Sequence, residues 1–264
     1  MGTACSICMR PSDSYKPNNQ LSDLKLLEQH SLKLPREDLP AYLSSHQASM
    51  PSKLLVLFAK VLDGSASQES CVDLRFSHLH SSGLLHLTKI LPFFENMQVL
   101  KLWKTSLGPE GLSQLKDVIP RFRLEVLSLE DNHLGPQGAY ILVGLFARLK
   151  TLRELWLQIN GIGHEGAQAM AEDLHVLRKL EVLAMDENDI CDEGANAVVR
   201  TFASLPVLQT VSLSQNFITK ECIRDIIQRV KKLPRVVKVN LRGNLKEEDI
   251  GDLIKDTQDS VLLK

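Results

Sequence analysis

The feature that most constrains this chain is a pattern that repeats about every 28 residues. Its clearest copies place leucines at alternate positions, then an asparagine, an aliphatic residue and a glycine. The asparagine position occurs seven times, with a serine and a threonine in the first two copies: Ser77, Thr105, Asn132, Asn160, Asn188, Asn216 and Asn244. A constant period of this length predicts a solenoid, in which stacked copies share one continuous core.

Each copy has the pattern of one strand followed by one helix. In the third copy Leu127 and Leu129 alternate with Ser128 and Glu130, which predicts a strand with one inward and one outward face. After the glycine, apolar residues recur at offsets of three and four, which place them on one helical face. The fold class is therefore α/β: a solenoid with parallel strands on the concave face and helices on the convex face.

Three segments carry a resemblance to a known family: "LEVLSLEDNHLGPQGA", "LRELWLQINGIGHEGAQAMA" and "LEVLAMDENDICDEGANAVV". They resemble leucine-rich repeats of the ribonuclease-inhibitor-like subtype, which also forms the sensor end of NOD-like receptors. The resemblance implies a horseshoe that binds proteins. No GxxxxGK[ST] motif occurs, so the chain resembles these repeats without the NTPase domain of such receptors.

The pattern also predicts how the chain is organised. A solenoid of about seven repeats covers 69–251, and 252–264 is expected to cap its C-terminal end. A helical cap is expected at 21–68 because solenoids need a polar outer face at each end, with an amphipathic membrane helix as the alternative. The segment 1–20 is polar, contains two prolines and is expected to be a flexible tail.

Composition narrows the function. A formal net charge of −1 gives no electrostatic reason to expect nucleic acid as a partner. No G-x-S-x-G or H-E-x-x-H motif occurs, and the spacing of the cysteines and histidines predicts no metal centre, so we expect neither an enzyme nor a cofactor. The five cysteines form no visible disulfide framework, and the chain is expected to be cytoplasmic and monomeric on its own.

The first residues, MGTACSIC, match the N-myristoylation pattern at Gly2. One acyl chain binds membranes only marginally, and Cys5 or Cys8 would supply a second acylation site. Dual acylation would hold the protein at the cytosolic face of a membrane. The alternative is a polar tail with two ordinary thiols.

The outward strand positions are the candidate binding site, because no other layer is predicted to cover the concave face. Both tryptophans of the chain occur there, and aromatic anchors dominate interface energetics. Cations gather toward the N-terminal end and four carboxylates flank the second tryptophan. The candidate residues are Arg75, Lys101, Trp103, Lys104, Glu130, Asp131, Trp156, Gln158, Asp186 and Glu187.

These features predict a non-enzymatic adaptor that binds a protein segment with a basic stretch and an apolar residue on the concave face. For the face itself, the alternative is that the exposed tryptophans and carboxylates merely pair with lysines and arginines of neighbouring copies. For the function, the first alternative is a structural subunit built into a larger assembly, such as a cytoskeletal or ciliary one. The second is a GTPase-activating or enzyme-inhibiting protein, as the resemblance to the Ran GTPase-activating protein and to ribonuclease inhibitor implies.

Overall fold

Eight short parallel strands form a single sheet in the computed structural model, which describes residues 34–235, 237–254 and 260–263. The strands pair strictly in sequence order, each with the next. Their bounds are β1 Cys71–Asp73, β2 Val99–Lys101, β3 Val126–Ser128, β4 Glu154–Trp156, β5 Val182–Ala184, β6 Thr210–Ser212, β7 Lys238–Asn240 and β8 Val261–Leu262.

A helix follows each of the first seven strands, and two more precede the sheet. The α-helices of the described residues are α1 Leu39–His46, α2 Ser52–Leu62, α3 His80–Ile90, α4 Gly108–Leu115, α5 Gly135–Phe146, α6 Gly163–Asp173, α7 Cys191–Thr201, α8 Lys220–Lys231 and α9 Glu247–Ile254. Short 3-10 segments lie at Arg36–Asp38, Gln47–Ser49, Ser65–Gln68, Leu91–Phe93, Ile119–Arg121, Leu174–Val176 and Phe202–Ser204. This alternation confirms the predicted fold class.

The register of the sheet follows the 28-residue period. Leu127 of β3 is opposite Leu100 of β2 and Leu155 of β4, and all three are 0% exposed. Packed helices lie about 8–10 Å apart, whereas paired strands lie about 4.8 Å apart. The helical side of the stack is therefore longer than the strand side, which makes the sheet the concave face.

A glycine near the start of each middle helix lets neighbouring repeats come close. A Cβ atom built on Gly166 would lie 2.7 Å from Cγ2 of Ile162 and 3.0 Å from Cβ of Ala139 in the preceding helix. Real Cβ atoms do not approach this closely, so the column of glycines fixes the close packing of α5, α6 and α7.

At both ends of the solenoid, described segments add apolar side chains to the core. The described part of the predicted N-terminal cap contains α1 and α2, whose Leu54 and Phe58 are 0% exposed. Residues 21–33 lie outside the described residues. At the other end Leu253 of α9 is 0% exposed, and β8 adds an eighth strand to the sheet within the segment expected only to cap it.

Candidate interaction surface

The turn after each strand is held by the asparagine ladder, which consists of Asn132, Asn160, Asn188, Asn216 and Asn244. The Asn160 amide shows the arrangement: Nδ2 donates to the carbonyls of Leu129 and Leu157, each at 2.9 Å, and to that of Gln158 at 3.2 Å. Its Oδ1 accepts from the backbone N–H groups of Asn132 at 3.1 Å and Leu134 at 3.3 Å. One side chain thus fixes the turns of two repeats.

The ladder ends at the second repeat, where Thr105 takes the asparagine position. Its hydroxyl donates to the carbonyl of Leu102 at 2.9 Å and lies 3.0 Å from Oδ1 of Asn132. In the first repeat the backbone N–H of Ser77 donates to Leu74 of the same repeat, at 3.0 Å. These hydrogen bonds show where the ladder stops.

The ladder fixes where each strand ends and hence where the outward side chains stand. Trp156, the last residue of β4, lies near the middle of the open face and is half-buried. Its partners in register are Ser128 of β3 and Ala184 of β5, which are only 5% and 2% exposed. The indole therefore stands between two small buried residues, and its Nε1 donates to Oε2 of Glu154 at 3.0 Å.

The residue that opens each strand also contributes to this face, which the sequence-based selection of candidates missed. Val126, Glu154 and Val182 are aligned in register and are each half-buried. The alternation that placed Ser128 and Glu130 outward also places Val126 outward, so the two-residue period contained the signal. Two valines thus lie on the strands that flank Trp156, each two positions before its partner in register.

The cationic end of the face is largely neutralised by its own neighbours. Nη2 of Arg75 lies 2.6 Å from Oδ2 of Asp73, and this hydrogen-bonded pair lowers the pKa of Asp73. Nζ of Lys104 lies 3.1 Å from Oδ2 of Asp131 in the next repeat. Lys101 forms no ion pair within the described residues. The positive region is thus smaller than the count of cations indicates.

Glu130 is a carboxylate of the face whose pKa is shifted by its surroundings. Burial raises its pKa, although the Ser128 hydroxyl donates to it and the charges of Arg75 and Lys101 act in the opposite direction. The rings of Phe76 and Trp103, with centroids 4.9 Å apart and planes tilted by 47°, lie on the first two repeats of the same face. The structure therefore brings the N-terminal candidates together as one cluster of charged and aromatic groups.

The two acidic residues of the fifth repeat differ in how firmly they are held. Asp186 accepts a hydrogen bond from the Ser212 hydroxyl and another from the backbone N–H of Ser214 at 2.7 Å. Glu187 is exposed, and among the described residues its carboxylate accepts only from Nε2 of Gln215, at 3.3 Å. The remaining candidate, Gln158, is half-buried, and its buried Oε1 has no hydrogen-bond partner in the part of the chain that the structure describes.

Comparison with known protein families supports the reading of the fold. A family model described as "Leucine Rich repeat" matches residues 148–171, which contain β4 and most of α6. This match supports the assignment of the chain as a leucine-rich-repeat protein, and the parallel sheet alternating with helices is the architecture of a leucine-rich-repeat solenoid. Leucine-rich repeats are generally a non-enzymatic fold that binds proteins. The curated proteins contain no significant match to the chain.

Two further properties bear on the class of site. No described helix has both the length and the apolar composition needed to cross a membrane. Within the part of the chain that the structure describes, no group of three or more histidine, cysteine or acidic side chains could hold a metal ion. The lipidation candidates Gly2, Cys5 and Cys8 lie outside the described residues.

Proposed function

We propose that this protein is a non-enzymatic adaptor that binds a partner protein on the concave face of a solenoid of the ribonuclease-inhibitor-like subtype. The observation that carries the proposal is the position of Trp156, half-buried at the centre of a face that no other described element covers. A large aromatic side chain bordered by aliphatic residues is the composition of an interface anchor. A sheet face with only a structural role does not require a large, partly exposed aromatic side chain at its centre.

The charges around this anchor support a partner segment with a basic stretch. Toward the N-terminal end the cations Arg75 and Lys104 already have carboxylate partners, so they offer little to an acidic ligand. On the other side of Trp156 the exposed carboxylate of Glu187 has no cation within 4.0 Å among the described residues. A lysine or arginine of the partner would complete that pairing.

The test is affinity purification from native cells, with the wild-type chain beside a Trp156→Ala/Asp186→Lys variant. Loss of one prominent partner, with the circular dichroism and melting temperature of the variant unchanged, is the expected result. A Tyr140→Ala variant serves as the matched control, because Tyr140 is 53% exposed on helix α5. Retention of every partner by the double variant would reject concave-face binding and favour a structural subunit held by other surfaces.

The proposal includes membrane attachment by acylation of Gly2 together with Cys5 or Cys8. It rests on the sequence pattern of these residues. Intact-mass analysis of the protein from eukaryotic cells tests it, because a myristoyl group on Gly2 adds a defined mass that a Gly2→Ala variant lacks. An unmodified N-terminus in the wild-type chain would reject the tether and leave the adaptor function unaffected.

A further inference from the structure

A row of positions at the strand exits has a left-handed backbone whatever residue occupies it. In each repeat the residue before the ladder position has a positive φ, and these residues form the left-handed row: Phe76 (62°), Lys104 (54°), Asp131 (51°), Ile159 (57°), Glu187 (54°), Gln215 (52°) and Gly243 (69°). The backbone N–H of each row residue up to Gln215 donates to a carbonyl of the next repeat, as Ile159 does to Asp186 at 3.0 Å. The repeat geometry therefore imposes this conformation.

Ile159 suits this position poorly. Glycine adopts the left-handed conformation without cost and asparagine or aspartate tolerates it, whereas a β-branched residue there is strained. The Ile159 side chain is also 43% exposed, so packing in the core does not offset the strain of its backbone. Phe217, the residue after the ladder position of its repeat, is likewise a bulky apolar residue with a left-handed backbone, with φ 57° and 46% exposure.

These two apolar side chains stand on either side of an acidic repeat. Ile159 precedes the ladder position of the fourth repeat and Phe217 follows that of the sixth, so their repeats are two strand spacings, about 10 Å, apart. The fifth repeat places the exposed carboxylates of Glu187 and Asp189 between them. Neither carboxylate forms an ion pair with a described lysine or arginine. We call Ile159, Glu187, Asp189 and Phe217 the rim strip.

We propose that the rim strip is the contact for an extended partner segment that carries two apolar residues with a lysine or arginine between them. This proposal rests on the concave-face binding function and specifies the chemistry of its ligand. An extended chain rises about 3.3 Å per residue, so apolar residues three or four positions apart span the strip. The charge of the intervening residue complements Glu187 and Asp189.

The proposal predicts opposite effects of one substitution on stability and on binding. Ile159→Asn replaces a strained apolar residue with a polar residue that tolerates the left-handed backbone, so the melting temperature should rise by about 2–4 °C. Loss of the apolar contact should weaken binding at least tenfold. Val207→Asn is the matched control, because Val207 is 41% exposed but lies in the turn before β6 and has no positive φ. The Val207→Asn variant should change neither the melting temperature nor the binding affinity.

The probe is a library of random 12-residue peptides selected on the immobilised full-length protein. The enriched peptides are then synthesised with a fluorescent label, and their dissociation constants are measured by polarisation. The expected result is enrichment of the apolar–basic–apolar pattern, with at least tenfold weaker binding to Ile159→Asn and to Phe217→Asn. A Glu187→Lys/Asp189→Lys variant should discriminate specifically against peptides that contain the basic residue.

Several results would overturn the proposal. Failure to enrich any peptide, enrichment of peptides without the pattern, equal affinity for wild type and Ile159→Asn, or a lower melting temperature of Ile159→Asn would each do so. Peptides that lose binding to Trp156→Ala but keep it to Ile159→Asn would reject the rim strip while retaining concave-face binding. Peptides that are insensitive to both substitutions would reject the rim strip and the concave-face function together.

Discussion

The asparagine ladder and the left-handed row occupy adjacent residues of the same turns, yet their side chains have opposite environments. The ladder residue Asn188 is 0% exposed and its amide bonds to backbone groups of its own and neighbouring repeats. Its predecessor in the left-handed row, Glu187, is exposed and makes one long side-chain hydrogen bond within the described residues. The ladder side chain forms hydrogen bonds to buried backbone groups, which only a few types of side chain can do.

Two adjacent residues of each turn thus meet different requirements. The ladder residue serves folding, and the residue of the left-handed row is available for the proposed recognition of a partner. Along the ladder the sequence is nearly constant, because a buried carbonyl or N–H without a partner costs free energy in every repeat. Along the left-handed row the backbone is constant, while the seven positions carry seven different residues, from lysine and aspartate to isoleucine and phenylalanine. Variation is therefore concentrated at largely exposed positions, which are also the positions that the proposed binding function would use.

Replacing a central ladder residue should give the largest loss of stability. Asn160→Ala removes five hydrogen bonds and leaves buried carbonyl and N–H groups unpaired. We expect a loss of about 3 kcal/mol in the free energy of unfolding, measured by urea denaturation. Asn96→Ala is the control, since the exposed Asn96 amide makes a single bond to the carbonyl of Ser67. Equal losses in the two variants would contradict the role of the ladder.

The period of the sequence predicted the parallel strands and located the recurring asparagine position, because these follow from spacing alone. It did not predict β8, since Val261 follows its register partner Val239 at 22 residues and so breaks the period. It also could not predict which charges pair. The Lys104–Asp131 contact depends on side-chain conformations on two repeats, and these are set by packing rather than by position in the repeat.

Substitution at the end of the ladder should lower the stability of the protein less than substitution at its centre. Thr105→Val keeps the shape of the side chain but removes the hydroxyl that bonds to Leu102 and Asn132. We expect a loss of about 1–2 kcal/mol by the same measurement. A Ser77→Ala variant should lose less than that, because no side-chain hydrogen bond of Ser77 continues the ladder among the described residues. A larger loss at Ser77 than at Thr105 would show that the ladder continues into the first repeat.

In the left-handed row, the effect of a substitution on stability should depend on backbone strain more than on lost side-chain contacts. Lys104 forms a surface ion pair with Asp131, and exposed pairs of this kind contribute about 0–1 kcal/mol. Lys104→Ala and Lys104→Gly both remove the pair, but only glycine relieves the left-handed conformation. The glycine variant should therefore be more stable than the alanine variant by about 1 kcal/mol. Equal stabilities would show that the position carries no strain.

The smallest effect is expected at Glu130, and it should appear as a dependence on pH. Burial raises the pKa of Glu130 in the folded protein, so the folded state holds its proton more strongly than the unfolded state does. Stability due to this group is present at low pH and is lost as the pH rises above the usual glutamate value through the folded pKa. Glu130→Gln removes the titration while retaining a hydrogen-bond acceptor for Ser128.

The Glu130→Gln variant should therefore gain stability relative to wild type as the pH is raised from about 3.5 to about 7, while the two proteins differ least at the acidic end. Urea denaturation of both proteins across this range measures the difference. Asp73→Asn gives the opposite control, because the hydrogen bonds from Arg75 lower the pKa of Asp73. That variant should lose stability relative to wild type over the same rise in pH. If Glu130→Gln behaved like Asp73→Asn, Glu130 would be stabilised by its neighbouring cations and not destabilised by burial.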